Sequence, residues 1–87
     1  MDIQFSKIFR KQFRKLPAKH RKIFKEKLTL FKNDPFNPLL NNHSLRGEYK
    51  LCRSVNITGS MRAIYGFGLD KNLIIFLAIG THSELYE

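Results

Sequence analysis

His43-Ser44-Leu45-Arg46-Gly47-Glu48-Tyr49-Lys50-Leu51-Cys52-Arg53-Ser54-Val55-Asn56-Ile57-Thr58-Gly59-Ser60-Met61-Arg62-Ala63-Ile64-Tyr65 is the stretch on which the fold turns. Its second half alternates, with Met61, Ala63 and Tyr65 on one side and Arg62 and Ile64 on the other, the period of a strand. Upstream, Glu48 to Val55 gives a second strand, with Tyr49, Leu51 and Val55 on one face and Lys50, Cys52 and Ser54 on the other. Thr58-Gly59-Ser60 supplies the turn between them. Arg53 interrupts the apolar face, which calls for a bulge or an exposed strand end. A polar loop carrying His43 and Arg46 precedes both strands, and loops on a rigid scaffold are where function concentrates.

Toward the C-terminus, the strand Met61 to Phe67 and the turn Asp70-Lys71-Asn72 lead to Leu73 to Ile79, continuously apolar as a central strand buried on both faces would be. The ending Gly80-Thr81-His82-Ser83-Glu84-Leu85-Tyr86 adds a second histidine and a tyrosine. Toward the N-terminus, Asp34-Pro35 and Asn37-Pro38 make an extended loop, with Leu39 and Leu40 expected to pin it to the core. Before that loop, Phe24, Leu28 and Phe31, flanked by Ile23 and Leu30, form the apolar stripe of a helix over about Pro17 to Asn33. Ser6 is placed to cap an earlier helix with Phe9, Phe13 and Leu16 on one face, and Met1 to Phe5 alternates as a first strand. The expected fold is α+β in the order β-α-α-β-β-β, with two N-terminal helices on one face of a mainly antiparallel twisted sheet and a short C-terminal tail.

Eighty-seven residues are expected to form one domain, and 43% hydrophobic residues with eight Phe argue for a packed core. No apolar run approaches a membrane span and no signal-peptide pattern opens the chain, so a cytoplasmic location is expected. The single Cys52 excludes an internal disulfide and reads as a small packing residue. The formal charge of +9 lies in the helical half, where residues 1 to 33 hold eleven Lys/Arg against Asp2 and Glu26. Such an excess calls for a polyanionic partner, either nucleic acid or an acidic protein. His20 sits among the helix cations and reads as a surface residue.

Charges on half-buried strands usually just face water. Here two histidines, several cations and a terminal tyrosine point instead to acid–base work on a phosphodiester. The element order, the loop His43-x-Leu45-x-Gly47, the strand Tyr49-Lys50-x-x-Arg53, the segment Arg62-x-Ile64-Tyr65 and the ending Gly80-Thr81-His82-Ser83-x-Leu85-Tyr86 resemble the RelE/ParE toxin superfamily, and within it the YafQ-type branch. The resemblance implies a toxin of a type II toxin-antitoxin module, a metal-independent and cofactor-free endoribonuclease that cuts mRNA in the ribosomal decoding site. It also implies an acidic antitoxin partner in a hetero-oligomer that binds operator DNA through the antitoxin.

Carried over by position, His43 and His82 match two histidines of that branch and Tyr86 matches a terminal aromatic beside the substrate. Arg62 and Lys50 match a strand arginine and lysine of RelE itself. Where the branch has a further histidine and an aspartate, this chain has Asn56 and Ser60. Attack of the 2′-hydroxyl on the adjacent phosphate needs a base, a cation for the phosphorane charge and an acid for the 5′-oxygen. Imidazole suits either proton-transfer role because its reference pKa lies near ~6.5. These needs assign His82 as principal acid–base group, Arg62 as phosphate clamp, His43 as second acid–base group or substrate holder, and Lys50, Arg53, Arg46 and Tyr86 as RNA contacts. Two histidines without partner carboxylates fall short of a metal ligand set. ParE-like proteins use this fold to poison DNA gyrase, and a catalytically silent RNA-binding module is a third reading. Fold alone does not separate the three, and the two histidines favour the nuclease.

Overall fold

A computed structural model describes residues 1–86. It opens with β1 (Asp2–Phe5), after which Ser6 turns the backbone and its Oγ accepts from the Phe9 N–H at 3.0 Å. The same hydroxyl donates to the Leu77 carbonyl at 3.0 Å, so one side chain caps α1 (Lys7–Arg14) and ties it to the sheet. Pro17 closes the corner to α2 (Ala18–Asn33): it needs no N–H there, and its carbonyl accepts from His20 and Arg21. A 3-10 turn at Pro38–Leu40 then leads into β2 (His43–Ser44), followed by β3 (Arg53–Asn56), β4 (Met61–Phe67), β5 (Leu73–Thr81) and α3 (His82–Tyr86).

The five strands lie in the order β1-β5-β4-β3-β2, with β1 parallel to β5 and every other pair antiparallel. Paired residues share a face. Val55, Ala63, Tyr65 and Phe76 face the helices, where Phe9, Phe24 and Phe31 meet them. Phe24 stands edge-on to Phe76 at 5.7 Å and Phe31 edge-on to Tyr65 at 5.1 Å, the arrangement aromatic quadrupoles favour. A smaller cluster of Ile64, Ala78 and Leu85 lies on the opposite face, flanked by Leu45, Tyr49, Cys52 and Tyr86. Leu77 is an extra residue in β5, because Ile64 pairs with Ala78 while Tyr65 pairs with Phe76. That bulge changes which residues face which way: Phe76 and Ile79 both reach the helix side, and Ala78 and Gly80 turn to the other.

The α+β layering, the two N-terminal helices, β4 and the apolar β5 follow the sequence reading. Four details differ. Glu48 to Val55 is not one strand: Gly47, at φ +67°, opens a 3-10 turn through Tyr49, the Cys52 N–H closes onto the Tyr49 carbonyl, and Leu51 sits at φ +76°. Extended pairing therefore begins only at Arg53, and His43–Ser44 supplies a short fifth strand where the sequence suggested a loop. Of the two loop leucines, Leu40 is fully buried while Leu39 is 67% exposed, because the 3-10 turn points them apart. The C-terminal tail is a helix. Among the described residues, no helix is long and apolar enough to cross a membrane.

Candidate functional site

The sheet face away from α1 and α2 collects His43, His82 and one of the arginines. Register places His43, Ser54, Ile64 and Ala78 in one row across β2 to β5, and Asn56, Arg62 and Gly80 in another. Two strand spacings and two residues of rise put His43 and Arg62 roughly 12 Å apart at Cα.

His43 is exposed, and its ring is held from behind. Asn41 adopts φ +44° after the 3-10 turn, which brings its carbonyl to 2.8 Å from His43 Nδ1. A carbonyl only accepts, so Nδ1 carries the hydrogen and in the neutral ring Nε2 keeps its lone pair. The adjacent Asn42 is fixed by its amide. Nδ2 donates to Pro35 O at 2.9 Å and to Tyr65 Oη at 2.8 Å, and Oδ1 accepts from Arg53 Nε at 2.7 Å.

At the other end of the face, Arg62 and His82 flank the same turn. Arg62 Nη1 donates to the carbonyls of Thr58, Gly59 and Met61 at 3.0, 3.2 and 3.1 Å, which anchors one edge of the guanidinium and leaves its other nitrogens without a protein acceptor among the described residues. The His82 backbone N–H reaches the Ser60 carbonyl at 3.2 Å. His82 begins α3 inside a reciprocal cap: the Thr81 N–H bonds Glu84 Oε1 at 2.8 Å and the Glu84 N–H bonds Thr81 Oγ1 at 3.2 Å. The Thr81 backbone N–H, and after it the Thr81 hydroxyl, shift the Glu84 carboxyl pKa down from its ordinary value. α3 lies close over Gly80, where a Cβ would stand 3.3 Å from Glu84 Oε1. The His82 ring lies 4.6 Å from that of Tyr86, which meets Tyr49 edge-on at 6.0 Å.

Between the two ends the face is mostly the apolar cluster of Ile64, Ala78 and Leu85, with three polar atoms set among it. Ser54 Oγ, Asn56 Oδ1 and Tyr86 Oη are buried without a hydrogen-bond partner among the described residues. Lys50 and Arg46 flank the Gly47 turn and are exposed. Arg53, by contrast, is not brought to this face. Its register partner is Tyr65, on the helix side, and its guanidinium carbon lies 5.2 Å from the centre of the Phe36 ring. Burial pushes the Cys52 thiol up, so it stays protonated. Among the described residues there is no group of three His, Cys, Asp or Glu that could hold a metal ion. A groove of about 280 Å³ between the helices, lined by Phe5, Phe13, Phe24 and Leu28, is apolar and lies on the side of the sheet away from His43.

Asn42, Ser54, Tyr49, Thr81 and Glu84 were given no role at the site from the sequence. Thr81-x-x-Glu84 has a readable signature, the capping box. Asn42 has none, because its three partners lie at Pro35, Arg53 and Tyr65.

Comparison with known proteins places this chain among toxins. A family model described as "Bacterial toxin of type II toxin-antitoxin system, YafQ" matches residues 1–87. The crystal structure of YafQ from E. coli strain BL21(DE3) superposes with a TM-score of 0.82 at 24% identity, covering 99% of this chain and 98% of that one. YafQ in the E. coli DinJ-YafQ toxin-antitoxin complex gives 0.78 at 24% identity, covering 99% and 97%. A YoeB/ParE toxin from Agrobacterium tumefaciens gives 0.76 at 16% identity, covering 94% and 99%. At these identities the superpositions establish a shared fold. A search of curated protein sequences gave no match.

Proposed function

Because this chain belongs to the YafQ family of bacterial toxins of type II toxin-antitoxin systems, we propose that it is a ribosome-dependent endoribonuclease that cleaves mRNA in the decoding site, acts in the cytoplasm and is silenced by an acidic antitoxin. The observation that carries the reading is the single sheet face on which His43 presents an Nε2 lone pair at one end and Arg62 and His82 flank the Thr58–Ser60 turn at the other.

In this reading, His43 Nε2 takes the proton of the 2′-hydroxyl as that oxygen attacks phosphorus. The Asn41 carbonyl supports the step, since it stabilises the positive charge the ring acquires. The anchored Arg62 offers its unengaged N–H groups to the equatorial oxygens of the phosphorane, a donor set already in place before charge develops. His82 gives its proton to the departing 5′-oxygen, leaving a 2′,3′-cyclic phosphate. Tyr86 lies against the His82 ring and can stack on a base. Asn56, between the histidines, positions substrate or water and transfers no proton near neutrality. Lys50 and Arg46 contribute charge to RNA binding from the rim.

The test is primer extension on cellular mRNA during expression, followed by cleavage assays on programmed ribosomes with purified variants. His82→Ala is expected to lower the rate by ~10² or more, and Arg62→Ala by a comparable ~10² to 10³, with circular dichroism unchanged. A folded His82→Ala protein that cleaves at the native rate would overturn the assignment. Loss of gyrase supercoiling without mRNA cleavage would replace it with a ParE-like activity.

A further inference from the structure

We propose that Arg53 is a positioning residue that locks the tautomer of His43 through Asn42, rather than one of the RNA contacts. The inference rests on the reading of His43 as the base of a ribonuclease site. Strand alternation supplies the first step: Arg53 pairs with Tyr65 on the helix side of the sheet, whereas His43 pairs with Ser54 and belongs to the opposite face. A guanidinium on the far face does not reach a phosphate held on the near one.

What Arg53 does reach is the Asn42 backbone and amide. Its Nε donates to Asn42 Oδ1 at 2.7 Å and its Nη2 to the Asn42 carbonyl at 3.4 Å, while the guanidinium lies over Phe36. Guanidinium has donors only, so it dictates which end of the amide faces it. Asn42 Nδ2 must then point the other way, where it finds the Pro35 carbonyl and the Tyr65 hydroxyl. A flipped amide would set Nδ2 against Nε and Oδ1 against the carbonyl. Asn42 therefore has one orientation. It stands between Asn41, whose carbonyl receives the His43 Nδ1–H, and His43 itself. Burial and these neighbours perturb the Tyr65 hydroxyl, burial most strongly and upward, so it stays a neutral member of the clamp.

The chemical consequence concerns a tautomer. Free histidine favours the hydrogen on Nε2, which would leave no lone pair at the exposed nitrogen. Holding it on Nδ1 requires an acceptor that does not move, and the Asn41 carbonyl is such an acceptor only while the clamp at Asn42 keeps that peptide still.

Multiple-bond ¹⁵N–¹H correlation spectra of the imidazoles, assigned by His43→Gln, read the tautomer directly in the full-length protein. The wild type is expected to show neutral His43 with its hydrogen on Nδ1. Arg53→Met keeps the stem over Phe36 and removes both hydrogen bonds; it is expected to move His43 toward the Nε2–H form and lower kcat on programmed ribosomes by roughly tenfold or more, below the ~10² to 10⁴ of losing a base outright, with KM little changed. Arg53→Lys should fail to rescue, because an ammonium lacks the planar fork that meets the amide and carbonyl together. Asn42→Ala should reproduce the spectral change, and it decides the matter if Arg53→Met does not fold. An unchanged tautomer in folded Arg53→Met or Asn42→Ala overturns the inference, as does a defect confined to KM that Lys restores. A changed tautomer with unchanged cleavage leaves the positioning intact and removes His43 as the base.

Discussion

Ser54 and Asn56 are adjacent in kind and opposite in expectation. Ser54 is fully buried with an unpartnered hydroxyl, a situation that ordinarily costs about 1–3 kcal/mol because the group leaves water without compensation. Ser54→Ala removes the orphan without opening a cavity larger than one oxygen. Its expected effect is a gain of about 1 kcal/mol in urea unfolding. Should cleavage fall in the same variant, the buried hydroxyl supports the row that carries His43 from within, a local stability given up for function. Asn56 Oδ1 is also unpartnered but lies in the row with Arg62, and the residue is only half-buried. Its amide cannot titrate near neutrality. Asn56→Ala is therefore expected to cost less than about tenfold in cleavage, well short of the ~10² expected for His82→Ala. An equal loss for both variants, measured on programmed ribosomes, would mean that the proton inventory of the site is wrong.

α3 positions His82, and a testable part of that positioning is the Thr81–Glu84 cap. Bonds from the Thr81 backbone N–H and then its hydroxyl lower the Glu84 pKa in the docked helix relative to the frayed one. A lowered value fixes the sign: the cap's contribution is fully present above the ordinary carboxylate pKa of ~4.3 and is lost as pH falls through the lower, docked value. Acidification below about pH 4 is thus expected to release α3 in the wild type, seen as sharpening of the His82 ring resonances. Glu84→Gln keeps the cap and should abolish that acid dependence, while Glu84→Ala should release α3 at neutral pH and lower cleavage with it. This helix was legible only as a tail, because five residues show no helical period and the cap alone announces it. The long helices and the apolar β5 were legible because burial writes itself into periodicity. Glu48 to Val55 misled for the same reason: Tyr49, Leu51 and Val55 alternate, yet Gly47 and Leu51 both take left-handed backbone angles that end a strand. His43, Arg62 and His82 are candidates from residue type and from the resemblance, and alternation already set Arg53 on the apolar face; its partners Asn42 and Phe36 are what no local pattern links to it.

At the scale of the whole molecule, the excess charge and the candidate site lie on opposite sides of the sheet. All of the net +9 belongs to residues 1 to 33, and most of those residues form α1 and α2, which pack on the face away from His43, Arg62 and His82. Those cations are too far round the molecule to touch the scissile phosphate, so their charge serves long-range attraction and docking rather than the chemical step. Such a division fits a substrate whose phosphates surround the protein on several sides, as structured ribosomal RNA does, better than a single strand laid in one groove. It also separates two observables. Replacing Lys11, Lys19 and Lys22, all exposed on the helices, with Gln should weaken ribosome binding and flatten its salt dependence by up to ~0.9 in log–log slope for each phosphate no longer neutralised, on the scale known for duplex DNA. Cleavage at saturating ribosome should stay within about twofold of the wild type, because no reacting atom is touched. Binding isotherms at several salt concentrations, with single-turnover rates on the same ribosomes, check both halves. Efficient, codon-specific cutting of naked mRNA with no effect of the triple substitution would mean that the helical charge meets some other polyanion, the antitoxin foremost.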